Sequence, residues 1–87
     1  MATYVICYDL RNKKNYEALY DAIKSYGTWA HILESTWAVK TEDSATEIRD
    51  KLAEVMDADD GLLVVKSAGV AAWRNVDCKS QWLKDHI

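Results

Sequence analysis

The residues with the most chemistry to offer stand at the end of one apolar run. Thr3-Tyr4-Val5-Ile6-Cys7-Tyr8 leads into Asp9 and Leu10, and a polar loop, Arg11-Asn12-Lys13-Lys14-Asn15, follows at once. A carboxylate that ends a buried strand must be met by a partner group, a metal or solvent. Magnesium takes oxygen ligands and commonly uses one or two carboxylates, with waters and substrate phosphates completing its shell. One aspartate per chain is therefore half of a cation site, and a two-fold axis near the strand ends would bring in the other half. A Mg²⁺ or Mn²⁺ ion held there would polarise a phosphodiester and lower the pKa of a bound water. The plainer alternative is a solvated Asp9 that caps the loop through the amides of Asn12 or Lys13. Arg11, Lys13 and Lys14, with Lys24 further on, carry the charge to meet phosphates at that mouth, or else form an ordinary solvated loop.

The other reactive side chains offer less. Ser35 either donates to a phosphate or pins a hairpin. Cys7 lies inside a strand, where a thiol behaves as a small core hydrophobe. His31 and His86 have no cysteine or histidine spaced as a co-ligand. Trp29, Trp37, Trp73 and Trp82 could stack on bases; packing in a core or interface accounts for them more simply.

Composition bounds the setting. With 87 residues and no proline, the chain reads as one domain over 1–87, with a core at about 3–66 and an extension at 67–87. An apolar content of 49% is ample for a core. Eleven basic against fourteen acidic residues give a net charge of −3, which argues against nonspecific nucleic-acid binding over the whole surface. Two isolated cysteines make neither a zinc pattern nor a disulfide framework. No apolar run approaches the ~18 residues of a membrane span, and the start lacks the basic region of a secretion signal. These features lead to the expectation of a cytoplasmic protein with no membrane partner.

The elements that must position these groups follow from periodicity. Residues 3–9 alternate Tyr4, Ile6, Tyr8 with Val5, Cys7, Asp9, and both sets are largely apolar, which predicts a central strand covered on both sides. Tyr16, Leu19, Tyr20 and Ile23 make one helical stripe over 15–26. Asn12 or Asn15 is placed to cap it and Gly27 to end it. Residues 29–33 and 36–41 read as strands that reverse near Glu34-Ser35. Ser44 and Glu47 form a capping box ahead of a helix over about 45–56, with Ala45, Ile48, Leu52, Val55 and Met56 on its apolar side. Leu62–Lys66 is a strand that is apolar on both faces. Beyond it, Gly69–Trp73 is expected as a short edge strand, and Asp77 as the cap of a last helix carrying Cys78, Trp82 and Leu83.

The order β-α-β-β-α-β implies a ferredoxin-like α+β sandwich, with two helices on one face of a four-stranded antiparallel sheet. Two helices leave one sheet face bare although 3–9 and 62–66 are apolar on both sides. A two-fold partner is the simplest cover, and a C-terminal segment folding back is the rival.

At this point the order and spacing of residues 3–66 resemble a known family. A first strand ending in Tyr8-Asp9-Leu10, then Tyr26-Gly27 ahead of a strand, then Ser35-Thr36-Trp37-Ala38-Val39, and an acidic turn before Leu62-Leu63-Val64-Val65 are similar to the CRISPR-associated Cas2 proteins and their VapD-type relatives. The resemblance implies a ferredoxin-like homodimer. It also implies either a metal-dependent nuclease acting on RNA or DNA, or a non-catalytic scaffold for Cas1. In the nuclease case the metal falls on Asp9 and the preceding tyrosine on Tyr8. The chain departs from the pattern at Leu33, where the family commonly has glutamine, and at Ala38, where it commonly has an acidic residue. Only Arg11, Lys13 and Lys14 represent the usual arginines, and 67–87 look partly helical where many members have a fifth strand. Those departures weigh against a Cas1 partnership and describe a divergent member.

Overall fold

A computed structural model describes residues 1–12 and 15–87. Seven elements follow one another: β1 (Ala2–Asp9), α1 (Tyr16–Lys24), β2 (Trp29–Leu33), β3 (Thr36–Thr41), α2 (Ala45–Ala53), β4 (Gly61–Lys66) and α3 (Ser80–His86). The strands form one antiparallel sheet in the order β2-β3-β1-β4. This is the expected ferredoxin-like sandwich, and β1 is central because β3 and β4 flank it.

Local chemistry explains most of the boundaries. Asn15 caps α1, its side chain accepting from the Ala18 amide at 3.3 Å. Gly27 follows the helix at φ +86°, a backbone state that costs a side chain dearly. The capping box at α2 is complete, with Glu47 N donating to Ser44 Oγ and Ser44 N to Glu47 Oε1, both at 3.1 Å. The β2–β3 reversal is the two-residue link Glu34-Ser35, with Leu33 opposite Thr36. Among the described non-glycine residues only Asn75 has positive φ, so this link is not one of the primed turns that match strand twist. The ladder responds with a register shift between His31 and Leu33.

The core lies between the helices and one sheet face. Tyr4, Ile6, Tyr8, Trp37 and Val39 from the sheet meet Leu19 and Ile23 of α1 and Ile48 and Leu52 of α2. At its rim, Lys51 Nζ donates to Asp43 Oδ2 at 2.6 Å and Tyr26 Oη donates to the same oxygen at 3.3 Å. The lysine holds Asp43 below the usual carboxylate range. Burial, helped by the charge on Asp43, pushes Tyr26 from 10.0 up to about 12. A raised pKa means the native state keeps its proton longer than the unfolded chain. Stability from Tyr26 is therefore full below pH 10 and lost as pH climbs toward 12. The urea midpoint should fall between pH 9 and pH 11, and by less in Tyr26→Phe. A midpoint that holds steady over that interval would contradict the assignment.

Three expectations are corrected. α2 ends at Ala53, because its last turn tightens into bonds from Val55 N to Leu52 O and from Met56 N to Ala53 O. Met56 still packs on the core while Val55 is exposed. No strand forms at Gly69–Trp73. Its glycine sits at φ +87°, Val70 is left 94% exposed, and Ala71 and Ala72 offer little to hold a pleated pairing. Asp77 does not cap the last helix: Lys79 occupies that position without a side-chain bond, and the Asp77 amide donates instead to Ile32 O of β2 at 2.8 Å.

The second sheet face is shared. The chain's own C-terminal segment covers the β2–β3 half, with Leu83 of α3 buried against Ala30, Ile32 and Ala38 and flanked by Trp73, Val76 and Trp82. The β4 half stays open, with Leu63 57% and Val65 47% exposed. The fold-back therefore covers part of the face for which a partner was expected, and leaves the rest.

Candidate functional site

Asp9 is the last residue of β1 and pairs with Gly61, the first of β4. Strand alternation puts it on the second face, in line with Val5 and Cys7, while Tyr8 points the other way into the core. Its side chain is 71% exposed and meets Arg11, whose Nε lies 3.3 Å from Asp9 Oδ2. That separation is long for a charge-assisted bond, and a solvent-exposed pair of this kind contributes roughly 0–1 kcal/mol. A competing ion or phosphate can separate it at little cost.

Arg11 does more than face Asp9. Its backbone amide donates to Asp60 Oδ1 at 2.8 Å and its Nη1 to Asp59 O at 3.1 Å, while Asn12 Nδ2 donates to Asp59 Oδ2 at 2.8 Å. Asp60 Oδ2 accepts from the Asp57 amide at 2.9 Å. These donors, the Arg11 amide first, hold Asp60 below the usual carboxylate range. It is thus Asp60 that takes the Arg11 amide where the loop leaves β1; an Asp9 bond to the Lys13 amide lies outside the described residues. The guanidinium lies against Gly61, where a Cβ would stand 3.0 Å from Arg11 Nη2. Only glycine admits that approach without displacing the arginine.

Tyr8 is buried, at 6% exposure. Its hydroxyl donates to Glu34 O at 3.0 Å and accepts from Trp37 Nε1 at 3.2 Å, tying β1 to the β2–β3 turn. Burial drives its pKa well above the ordinary tyrosine value. Ser35 is exposed in that turn, and its carbonyl accepts from Tyr8 N at 3.2 Å. Tyr8, Asp9, Arg11 and Ser35 therefore share one end of the sheet. Lys13 and Lys14 lie outside the described residues. His31 stacks on Trp37 with ring centres 4.0 Å apart, and Cys7 is half-buried 3.9 Å from Thr36 Oγ1.

The acidic turn Asp57–Asp60 was legible as a helix stop and a turn ahead of the last strand, not as a neighbour of Asp9. Its place beside Asp9 follows from topology, since antiparallel pairing sets the start of β4 against the end of β1. The signal was available once the strand order was assumed. Among the described residues, no three of His, Cys, Asp and Glu converge to hold a metal ion. One chain thus offers Asp9 as a single carboxylate ligand with one oxygen outside its ion pair. That fits a cation whose remaining ligands come from a second copy, water or phosphate.

No described helix is long and apolar enough to cross a membrane. The family model described as CRISPR associated protein Cas2 matches residues 1–71, and no curated protein matches the chain. The matched span takes in the whole sheet and both core helices, and stops short of α3.

Proposed function

This chain belongs to the CRISPR-associated Cas2 family, and on that premise we propose that it works as a homodimer hydrolysing phosphodiester bonds in RNA or DNA with Mg²⁺ or Mn²⁺ at paired Asp9 carboxylates. The observation that carries this reading is where Asp9 lies. It projects at the open end of β1, on the same sheet face as the exposed Leu63 and Val65. A second copy seated on that strip would bring the two strand ends together.

A bound divalent ion would supply charge neutralisation for the phosphate and a more acidic attacking water. The protein's own groups would do the positioning. Arg11, released from Asp9, would turn its guanidinium to a phosphate oxygen, for which its planar fork is suited. Lys13 and Lys14 would add charge beside it, and Ser35 a hydroxyl from the neighbouring turn. Tyr8 serves from below by fixing the strand end, since its hydroxyl is already engaged on both sides.

The second reading is a non-catalytic dimeric scaffold, and the Asp9–Arg11 ion pair within one chain favours it. Neither reading requires a Cas1-type partner. The test is cleavage of labelled single- and double-stranded RNA and DNA with Mg²⁺ or Mn²⁺, comparing the natural chain with Asp9→Asn. Loss of about a hundredfold or more in rate is expected on removing a metal-bearing carboxylate. Equal rates would remove Asp9 from the chemistry, and no cleavage by either protein would leave the scaffold reading.

A further inference from the structure

We infer that residues 72–87 are an autoinhibitory cap, which competes with a second copy of this chain for the second sheet face and so weakens self-association. The inference rests on the homodimer reading above and adds a control on it.

The cap lies outside the span shared with the family, which ends at residue 71. Its helix, α3, has only seven residues and no side-chain N-cap, too short to persist as a helix apart from its packing. Leu83 is its one fully buried side chain among the described residues. Hydrogen bonds also fasten the segment: Asp77 N donates to Ile32 O at 2.8 Å, and at the C-terminal end Thr3 Oγ1 donates to His86 O at 2.5 Å and Ser67 Oγ to Ile87 O at 3.1 Å. His86 Nδ1 is buried there without a hydrogen-bond partner, a cost that undocking removes. A segment with one fully buried side chain, whose Trp73, Val76, Cys78, Trp82 and Ile87 are only partly buried and which leaves a polar atom unpaired, belongs to the low-stability end of a fold.

What it covers is continuous with what it leaves open. Ala30, Ile32 and Ala38 lie under the cap, and Ala38 pairs with Val5, which pairs in turn with Val65. A groove of about 370 Å³ runs along the junction, walled by Val5, Ile32 and Val65 on one side and Val70, Leu83 and Ile87 on the other. Releasing α3 would join both halves into one apolar sheet face. A second copy carries the same strip, and a self-complementary apolar face is what an isologous contact requires. While the cap is docked, the apparent affinity for that second copy is reduced by the fraction of chains that are uncapped.

Two measurements on the full chain test this. Leu83→Asp places a charge under α3 without altering the sheet, and sedimentation across micromolar concentrations should give it a self-dissociation constant about tenfold or more below that of the natural chain. Hydrogen exchange on the natural chain should show the α3 amides losing protection as concentration rises and copies associate; this second measurement holds even where the variant folds poorly. A natural chain that dimerises, with an unchanged constant for the variant and steady α3 protection, overturns the cap alone. If both proteins stay monomeric, the cap and the homodimer reading fall together.

Discussion

Trp37→Ala is expected to remove most of the stability of this domain. The indole is 1% exposed and ties β3 to β1, β2 and α1. It stacks on His31 at 4.0 Å, meets Tyr20 at 5.0 Å and Trp29 at 5.3 Å, and donates Nε1–H to Tyr8. Removing a buried tryptophan costs about 3–5 kcal/mol. A chain of this length has roughly 4–13 kcal/mol in all, on a per-residue scale. At about 4–8 °C per kcal/mol, the melting temperature should drop by roughly 12–40 °C. Thermal unfolding followed by circular dichroism measures it. A fall of only a few degrees would mean that the aromatic cluster is not the keystone described above.

Tyr8→Phe is the second large effect, and it separates support from chemistry. Losing the hydroxyl leaves Trp37 Nε1 buried with its donor unmet, whereas Glu34 O keeps a partner in His31 Nε2 at 3.0 Å. The expected cost is about 1–3 kcal/mol, that of one unsatisfied buried group. The Glu34-Ser35 turn should loosen with it, visible as faster hydrogen exchange around residues 33–36. Because the hydroxyl faces the core and Asp9 faces the opposite side, cleavage per folded molecule should be unchanged. A hundredfold loss of cleavage in a protein that is still folded would instead place the Tyr8 hydroxyl in the reaction.

The two variants mark how far residue types alone reach. Alternation at 3–9, the stripe at Tyr16, Leu19, Tyr20 and Ile23, the Ser44–Glu47 box and Gly27 are local signals, and each led to the element or cap now seen. The strand reversal at Glu34-Ser35 was equally legible despite its unprimed turn, because β-rich residues flank it on both sides. Two things were not legible. Residues 67–79 mix Ala, Val and Trp with polar residues at no regular period, so a fold-back could be weighed but its path across β2 could not be read, and α3 carries only Leu83 as a buried anchor. The Arg11 clasp on Asp59 and Asp60 joins residues nearly fifty positions apart. Such a contact exists only after β1 and β4 have paired, and composition read along the chain is blind to it. Asp9 itself was recognised as unusual, and the structure adds the arginine on its carboxylate and the glycine that makes room for it.

The sheet has two edges, and they are treated differently. At one, the crossing segment takes the Ile32 carbonyl of β2; at the other, β4 has β1 on one side only. A sheet with both rims available can keep adding molecules head to tail and grow into a filament. While the crossing segment stays docked, any growth through strand addition has to consume the same rim on both participants and then finds nothing left to build on. Stoichiometry by that route stops at two, and a small, aromatic-rich β protein is spared the fibrous assembly that its composition would otherwise invite.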